Sequence, residues 1–205
     1  MSKPYIIAVA GASGSGKTTF VKDIVQKFGG ITLAVLSQDQ YYRDMAHLSP
    51  RARARVNYDH PDQIDAPLLV QHLAQLAGGK TVAAPQYDFS QHARMSKTTP
   101  VKPCSLLVCE GTLTLHYPAL RELADLKIFM DVPTDICLVR RIIRDQRDRG
   151  RTVAQITSQY LASVQPMFQQ YVAPSKEFAD IIVHNPRDLV KKLTKLLNIK
   201  TNDNS

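Results

Sequence analysis

No stretch limits this chain more than Gly11-Ala12-Ser13-Gly14-Ser15-Gly16-Lys17-Thr18, a glycine, four residues, then Gly-Lys-Ser/Thr. Tyr5 to Ala10 before it reads as a buried strand, and Thr18 to Val25 after it as a helix. The glycines let the backbone turn through positive φ, so that successive N–H groups converge on an anion. Lys17 adds a movable cation, Thr18 a hydroxyl suited to Mg²⁺, and the helix start points its positive dipole end at the same place. A glycine-rich turn that binds nothing is the bland alternative, and the strand and helix on either side argue against it. The segment predicts a nucleoside triphosphate bound with Mg²⁺.

At 205 residues, with 44% apolar and 21% charged residues, the sequence predicts one soluble domain with a single substantial core. No apolar run approaches the roughly 20 residues of a membrane span, and Met1 to Pro4 leads straight into the first strand without a cleavable signal. Cys104, Cys109 and Cys137 have no metal-ligand spacing and predict reduced thiols filling a cytoplasmic protein's core. The formal charge of +8 implies affinity for anions. Six arginines fall between 140 and 151, without the interleaved aromatics of a nucleic-acid stripe, so a local phosphate clamp is the expectation and nucleic acid is not.

Ile31 to Leu36 reads as a second buried strand after the break at Gly29-Gly30, delivering Ser37, Gln38 and Asp39 at its carboxyl end. In an open parallel sheet that edge carries the ligand. Asp39 can accept a proton from an attacking hydroxyl, help hold Mg²⁺, or cap the next helix. Arg51, Arg53 and Arg55 read as a solvated face. Pro67 starts an amphipathic helix that Gly78-Gly79 stops, with His72 at its surface or edge. The region of about 80–100 predicts a hairpin flap; its Tyr87, Phe89 and His92 suit either a flat heterocycle or a satellite hydrophobic cluster. Ser105 to Cys109 is an apolar strand that ends in Glu110, which puts a carboxylate beside the metal. Leu126 to Asp131 is a further strand.

Pro133 to Arg149 predicts a long helix closed by Gly150, with Arg140, Arg144, Arg147 and Arg151 on one face and Arg141 beside them. That face reads either as a lid over a triphosphate or, tempered by Asp145 and Asp148, as a salt-bridged solvated surface. A second helix from Val153 to Val164 leads to Pro166, and Tyr171 to Pro174 ends the helical stretch. Asp180 to His184 reads as a last strand, Asp188 to Leu197 as a closing helix, and Lys200 to Ser205 as a frayed tail.

Together these segments resemble the uridine kinase (uridine-cytidine kinase) family. The resemblance is carried by Gly11 to Thr19, Ser37-Gln38-Asp39 with Tyr42, Asn57-Tyr58-Asp59-His60-Pro61, Tyr87-Asp88-Phe89 with His92 and Arg94, Glu110-Gly111, Arg140-Arg141 with Arg144-Asp145, Arg149-Gly150-Arg151, Gln159-Tyr160, Pro166-Met167-Phe168, Pro174-Ser175-Lys176 and Ala179 to Ile182. It extends from Ile6 to about Val183. It implies an α/β P-loop NTPase fold, a parallel sheet flanked by helices, with a β-hairpin flap at about 80–100 and a helical lid at about 140–165, in one domain over 1–205.

The activity so implied is ATP-dependent (or GTP-dependent) phosphorylation of the 5′-hydroxyl of uridine and cytidine, by a homo-oligomer, a tetramer on family likeness. Gly11, Ala12, Ser13, Gly14, Ser15, Gly16, Lys17, Thr18 and Thr19 would bind the nucleotide. Thr18, Asp39 and Glu110 would surround Mg²⁺, with Asp39 as the base. Asp59, Arg141 and Gln159 would hold the ribose; Tyr58 and Phe89 would sandwich the pyrimidine while Tyr87 and His92 read its edge. Tyr42 would help line the pocket, and Arg144, Arg149 and Arg151 would belong to the lid. The chain departs from the family at His184-Asn185-Pro186, where Pro-Arg-Gly-Gly is usual. The nearest alternatives are a phosphoribulokinase-like or pantothenate kinase-like enzyme, whose substrates lack a flat base, and a nucleotide-controlled switch, for which no guanine-reading Asn-Lys-x-Asp exists.

Overall fold

The computed structural model describes residues 3–28, 31–53, 55–89 and 91–185. The break at Gly29-Gly30, Pro186 of the altered turn, the closing helix and the tail lie outside them. The elements in chain order are β1 (Tyr5–Gly11), α1 (Lys17–Lys27), β2 (Leu33–Ser37), a single turn α2 (Pro50–Arg53), α3 (Ala66–Ala77), β3 (Val82–Asp88), β4 (Ala93–Val101), β5 (Leu106–Glu110), α4 (Pro118–Leu123), β6 (Leu126–Met130), α5 (Thr134–Arg149), α6 (Val153–Gln159) and β7 (Ile181–Val183).

Five strands form one parallel sheet in the order β2-β5-β1-β6-β7, and β3 pairs with β4 as a separate antiparallel ribbon. Every strand of the sheet therefore ends on the same edge. The period of two along β1 divides the core. Ile6, Ala8 and Ala10 face one way, against Leu107, Cys109 and the α3 side chains Leu69, Leu73 and Leu76. Ile7 and Val9 face the other, against Val108, Ile128 and the α1 side chains Phe20, Val21 and Ile24. Each of these three α1 side chains contributes about 1.5–3 kcal/mol by leaving water, and that fixes α1 on the sheet with its first turn at the ligand edge.

Several expectations are corrected. His72 is buried, not at the surface, and its Nδ1 lies 2.9 Å from the hydroxyl of Tyr41. Arg53 is no solvated side chain: it donates to the carbonyls of Leu48 and Gln91 and ties the flap tip to the segment before it. The helical stretch from Val153 runs through Tyr171 to Pro174, as expected, and on to Phe178. It widens to π-helix at Tyr160–Val164 and again at Phe168–Val172, and ends as a 3-10 turn at Ala173–Phe178. Pro166 lacks an N–H, and the π turns on either side of it accommodate the missing bond. The three cysteines are free and buried.

Candidate active site

Gly11, Gly14 and Gly16 have φ of 144°, 87° and 97°. A Cβ at Gly14 would collide with the carbonyl of Cys137 on α5, so glycine is required both by conformation and by this close approach. Lys17 is buried and donates from Nζ to the carbonyls of Gly11 and Ala12, each at 2.9 Å. Burial pulls its pKa down, while Glu110 and Asp39 oppose that pull. Thr18 and Thr19 follow in the exposed first turn of α1.

Parallel pairing sets Ser37 of β2 beside Glu110 of β5. The Ser37 hydroxyl donates to Glu110 Oε1 at 2.8 Å. Burial pushes the Glu110 carboxyl up from its ordinary pKa, with Lys17 opposing and Asp39 adding to it. A 3-10 turn at Gln38–Tyr41 carries Asp39 out of the strand. The result is a cavity of about 630 Å³ lined by Thr18, Ser37, Asp39, Glu110, Phe89, Arg144 and Arg149, with Val21, Val25 and Val35 along one wall. The expected base, metal-facing groups and two lid arginines thus share one space. Among the described residues no group of three or more His, Cys, Asp or Glu is placed to hold a metal ion by itself. A hydroxyl and two carboxylates are nevertheless the donor set of a hard cation that completes its shell with phosphate and water.

The flap aromatics form a second cluster. Tyr42 packs against Tyr58, Tyr87 and Phe89, with ring centroids 5.1–6.4 Å apart. Tyr58 stacks on His92 at 4.4 Å and 13°, so one face of Tyr58 is covered by the imidazole expected to read the base edge. His92 has φ of 48°, in the left-handed region. Burial and the nearby Arg151, Arg53 and Arg149 lower its pKa, so the ring is neutral near pH 7 and offers one donor and one acceptor. The Arg149 guanidinium lies 5.6 Å over Phe89, linking flap and lid. Arg94 anchors the flap base, donating to the carbonyl of Tyr42 at 2.9 Å and meeting Asp65 at 3.3 Å.

The ribose set also converges. Gln159 Oε1 accepts from Arg141 Nη2 at 3.1 Å and from Arg151 Nη1 at 2.7 Å. Asp59 accepts from Ser163 at 2.7 Å and supports the charge of Arg141 against its burial. Of the predicted arginine face, Arg147 turns away to pair with Asp148 in solvent and Arg140 is exposed. Arg141, Arg144, Arg149 and Arg151 gather instead around Asp145. Ser163 was not singled out from sequence, and Asp145 was read there only as tempering the arginine face and as part of a family motif, although both sit at helical spacing: Asp145 four residues from Arg141 and from Arg149, Ser163 four from Gln159. Asp131 receives Lys176 at 3.1 Å, and the Nδ1 of His184 lies 3.2 Å from its carbonyl.

Residues 6–190 match the Phosphoribulokinase / Uridine kinase family. A uridine kinase of Clostridium perfringens is 45% identical over 183 residues, covering 89% of this chain and 88% of that protein. A uridine kinase of Aeromonas hydrophila is 47% identical over 182 residues, covering 87% and 85%. In fold, the chain is similar to phosphoribulokinase from Rhodobacter spheroides, with a TM-score of 0.66 at 18% identity over 88% of this chain and 69% of that one.

Proposed function

Since the chain belongs to the phosphoribulokinase/uridine kinase family, we propose that it transfers the γ-phosphate of ATP, or of GTP, to the 5′-hydroxyl of uridine and cytidine. The observation that carries this reading within the family is the placing of Phe89: it lines the cavity of Thr18, Asp39 and Glu110 and also belongs to the aromatic cluster of Tyr42 and Tyr87. A sugar phosphate has no use for such ring faces; a pyrimidine does.

In this reading the loop from Gly11 to Thr19 grips the phosphates, and Lys17 exchanges its two carbonyl acceptors for phosphate oxygens. Thr18, Asp39 and Glu110 would hold Mg²⁺, which when bound neutralises charge on the phosphates. Asp39 accepts the proton of the 5′-hydroxyl, and Arg144 and Arg149 stabilise the charge that spreads over the transferred group. Asp59, Arg141 and Gln159 take the ribose hydroxyls, Arg151 supports Gln159, and Tyr42, Tyr58, Tyr87, Phe89 and His92 enclose the base. Neutral His92 can donate to one pyrimidine and accept from the other, which supports use of both nucleosides.

The same reading makes residues 1–205 one kinase domain of cytoplasmic pyrimidine salvage. Among the described residues no helix is long and apolar enough to cross a membrane. Family likeness supports a homotetramer, and the exposed Ile136, Val139 and Ile143 on α5 give a copy something to cover. The test is formation of UMP and CMP from ATP, Mg²⁺ and each nucleoside, beside the 2′-deoxy forms. The ribonucleosides should turn over at least about tenfold faster than their deoxy analogues, because the missing hydroxyl leaves buried partners unpaired. No turnover of either ribonucleoside rejects the reading.

A further inference from the structure

We propose that Asp145 and Ser13 latch the arginine lid onto the phosphate loop, with Asp145 a positioning residue of the reaction; the inference rests on the kinase reading above. The Asp145 side chain is wholly buried among four guanidiniums. Arg144 Nε donates to its Oδ1 at 2.8 Å, and Arg149 stands 3.5 Å from the same oxygen. Arg151 and Arg141 lie 3.6 Å and 3.8 Å from Oδ2. The backbone makes this convergence: helical spacing brings Arg141 and Arg149 to Asp145, and Gly150, in the left-handed conformation, turns the chain so that the N–H of Arg151 meets the Asp145 carbonyl at 3.2 Å.

Asp145, with Asp59 beside Arg141, cannot neutralise four guanidiniums, and a partly buried surplus of positive charge calls for an anion. The surplus points at the phosphate loop. Arg141 Nη1 donates to the hydroxyl of Ser13 at 3.0 Å, and Arg144 Nη2 reaches the same oxygen at 3.5 Å. A neutral hydroxyl is a weaker acceptor for a guanidinium than a phosphate oxygen. Ser13 therefore parks two arginines where the donor's phosphates will take them over. The cluster also has room to tighten: Arg141 Nε and Asp145 Oδ2 are both buried, neither has a hydrogen-bond partner, and they face each other. Asp145 keeps the four cations in register while the acceptor changes from hydroxyl to phosphate.

The test uses the full chain as wild type, Asp145→Asn, Asp145→Glu and Ser13→Ala. Folded Asp145→Asn should lose at least about tenfold in kcat while KM for ATP and for uridine stays within about threefold, the pattern of an interaction realised in the transition state. Asp145→Glu, which keeps the charge, should regain most of that loss. A kcat for Asp145→Asn within about twofold of wild type, or equal impairment of both variants, overturns the proposal. Should Asp145→Asn not fold, amide hydrogen exchange across residues 140–151 of nucleotide-free Ser13→Ala decides. Exchange faster than wild type that reverts on adding a non-hydrolysable ATP analogue supports the latch, and unchanged exchange overturns it. If wild type phosphorylates neither nucleoside, the kinase reading has failed, and the exchange measurement still decides the latch.

Discussion

Asp39 and Glu110 are two carboxylates in one cavity with separate proposed roles, and their surroundings differ accordingly. Asp39 stands on a short 3-10 turn beyond the strand, free to meet a substrate hydroxyl. Replacing it with asparagine keeps the shape and removes the proton acceptor, so Asp39→Asn should fold and bind uridine while turning over at least about 10²-fold more slowly. Calorimetric binding beside steady-state rates checks this, and near-normal turnover returns Asp39 to a structural role. Glu110 is buried and holds its proton to higher pH than an ordinary glutamate. As pH falls it is therefore among the first carboxylates lost, and activity that needs it ionised should decline above the usual carboxylate range. A cation favours the ionised form, so raising Mg²⁺ should move the acidic limb of kcat/KM to lower pH. A limb indifferent to Mg²⁺ contradicts the assignment of Glu110 as a ligand.

At the scale of elements, the flap is a two-stranded ribbon outside the main sheet, and a ribbon alone is marginal in water. Arg94 anchors its base to Asp65 and to the carbonyls of Tyr41 and Tyr42, while Arg53 holds its tip. Arg94→Ala takes the donor from the partly buried Tyr42 carbonyl and Asp65 Oδ2, while the Tyr41 carbonyl keeps the N–H of Asp65, and should cost about 1–3 kcal/mol in denaturant unfolding. Because β4 carries His92's neighbours, KM should rise more for uridine than for ATP. Gly14→Ala places a side chain against α5 at a positive φ, and nucleotide affinity should fall at least about tenfold by the resulting shift of loop or lid. Affinity within twofold of wild type would show that α5 yields freely. These elements were unequally legible. The phosphate loop, the strand ending in Glu110 and the hairpin are local signals, fixed by glycines, apolar runs and turn residues close in sequence. The helical face of α5 was not: periodicity put Arg140 and Arg147 beside Arg144, whereas contact with Ser13, 128 residues away from Arg141, selects which arginines turn inward. His72 likewise looked peripheral until Tyr41, on another element, supplied its hydrogen bond.

Across the whole molecule, parallel pairing brings the ends of β1, β2 and β5 to one edge, and the phosphate loop, Asp39 and Glu110 follow from that topology alone. The flap and lid then approach from either side and meet where Arg149 covers Phe89. A sequence displays the edge residues because each strand announces its own end; it does not display the meeting of flap and lid, which depends on tertiary packing over long separations. The acceptor is accordingly the decisive point, since the family is named for both a phosphoribulokinase and a uridine kinase. The most direct measurement offers the wild-type protein ATP and Mg²⁺ with uridine, cytidine, ribulose 5-phosphate and pantothenate in one mixture and follows where the phosphate goes. The expected result is UMP and CMP, with no phosphate on the other two. Phosphate on ribulose 5-phosphate or pantothenate, with both nucleosides untouched, would contradict it.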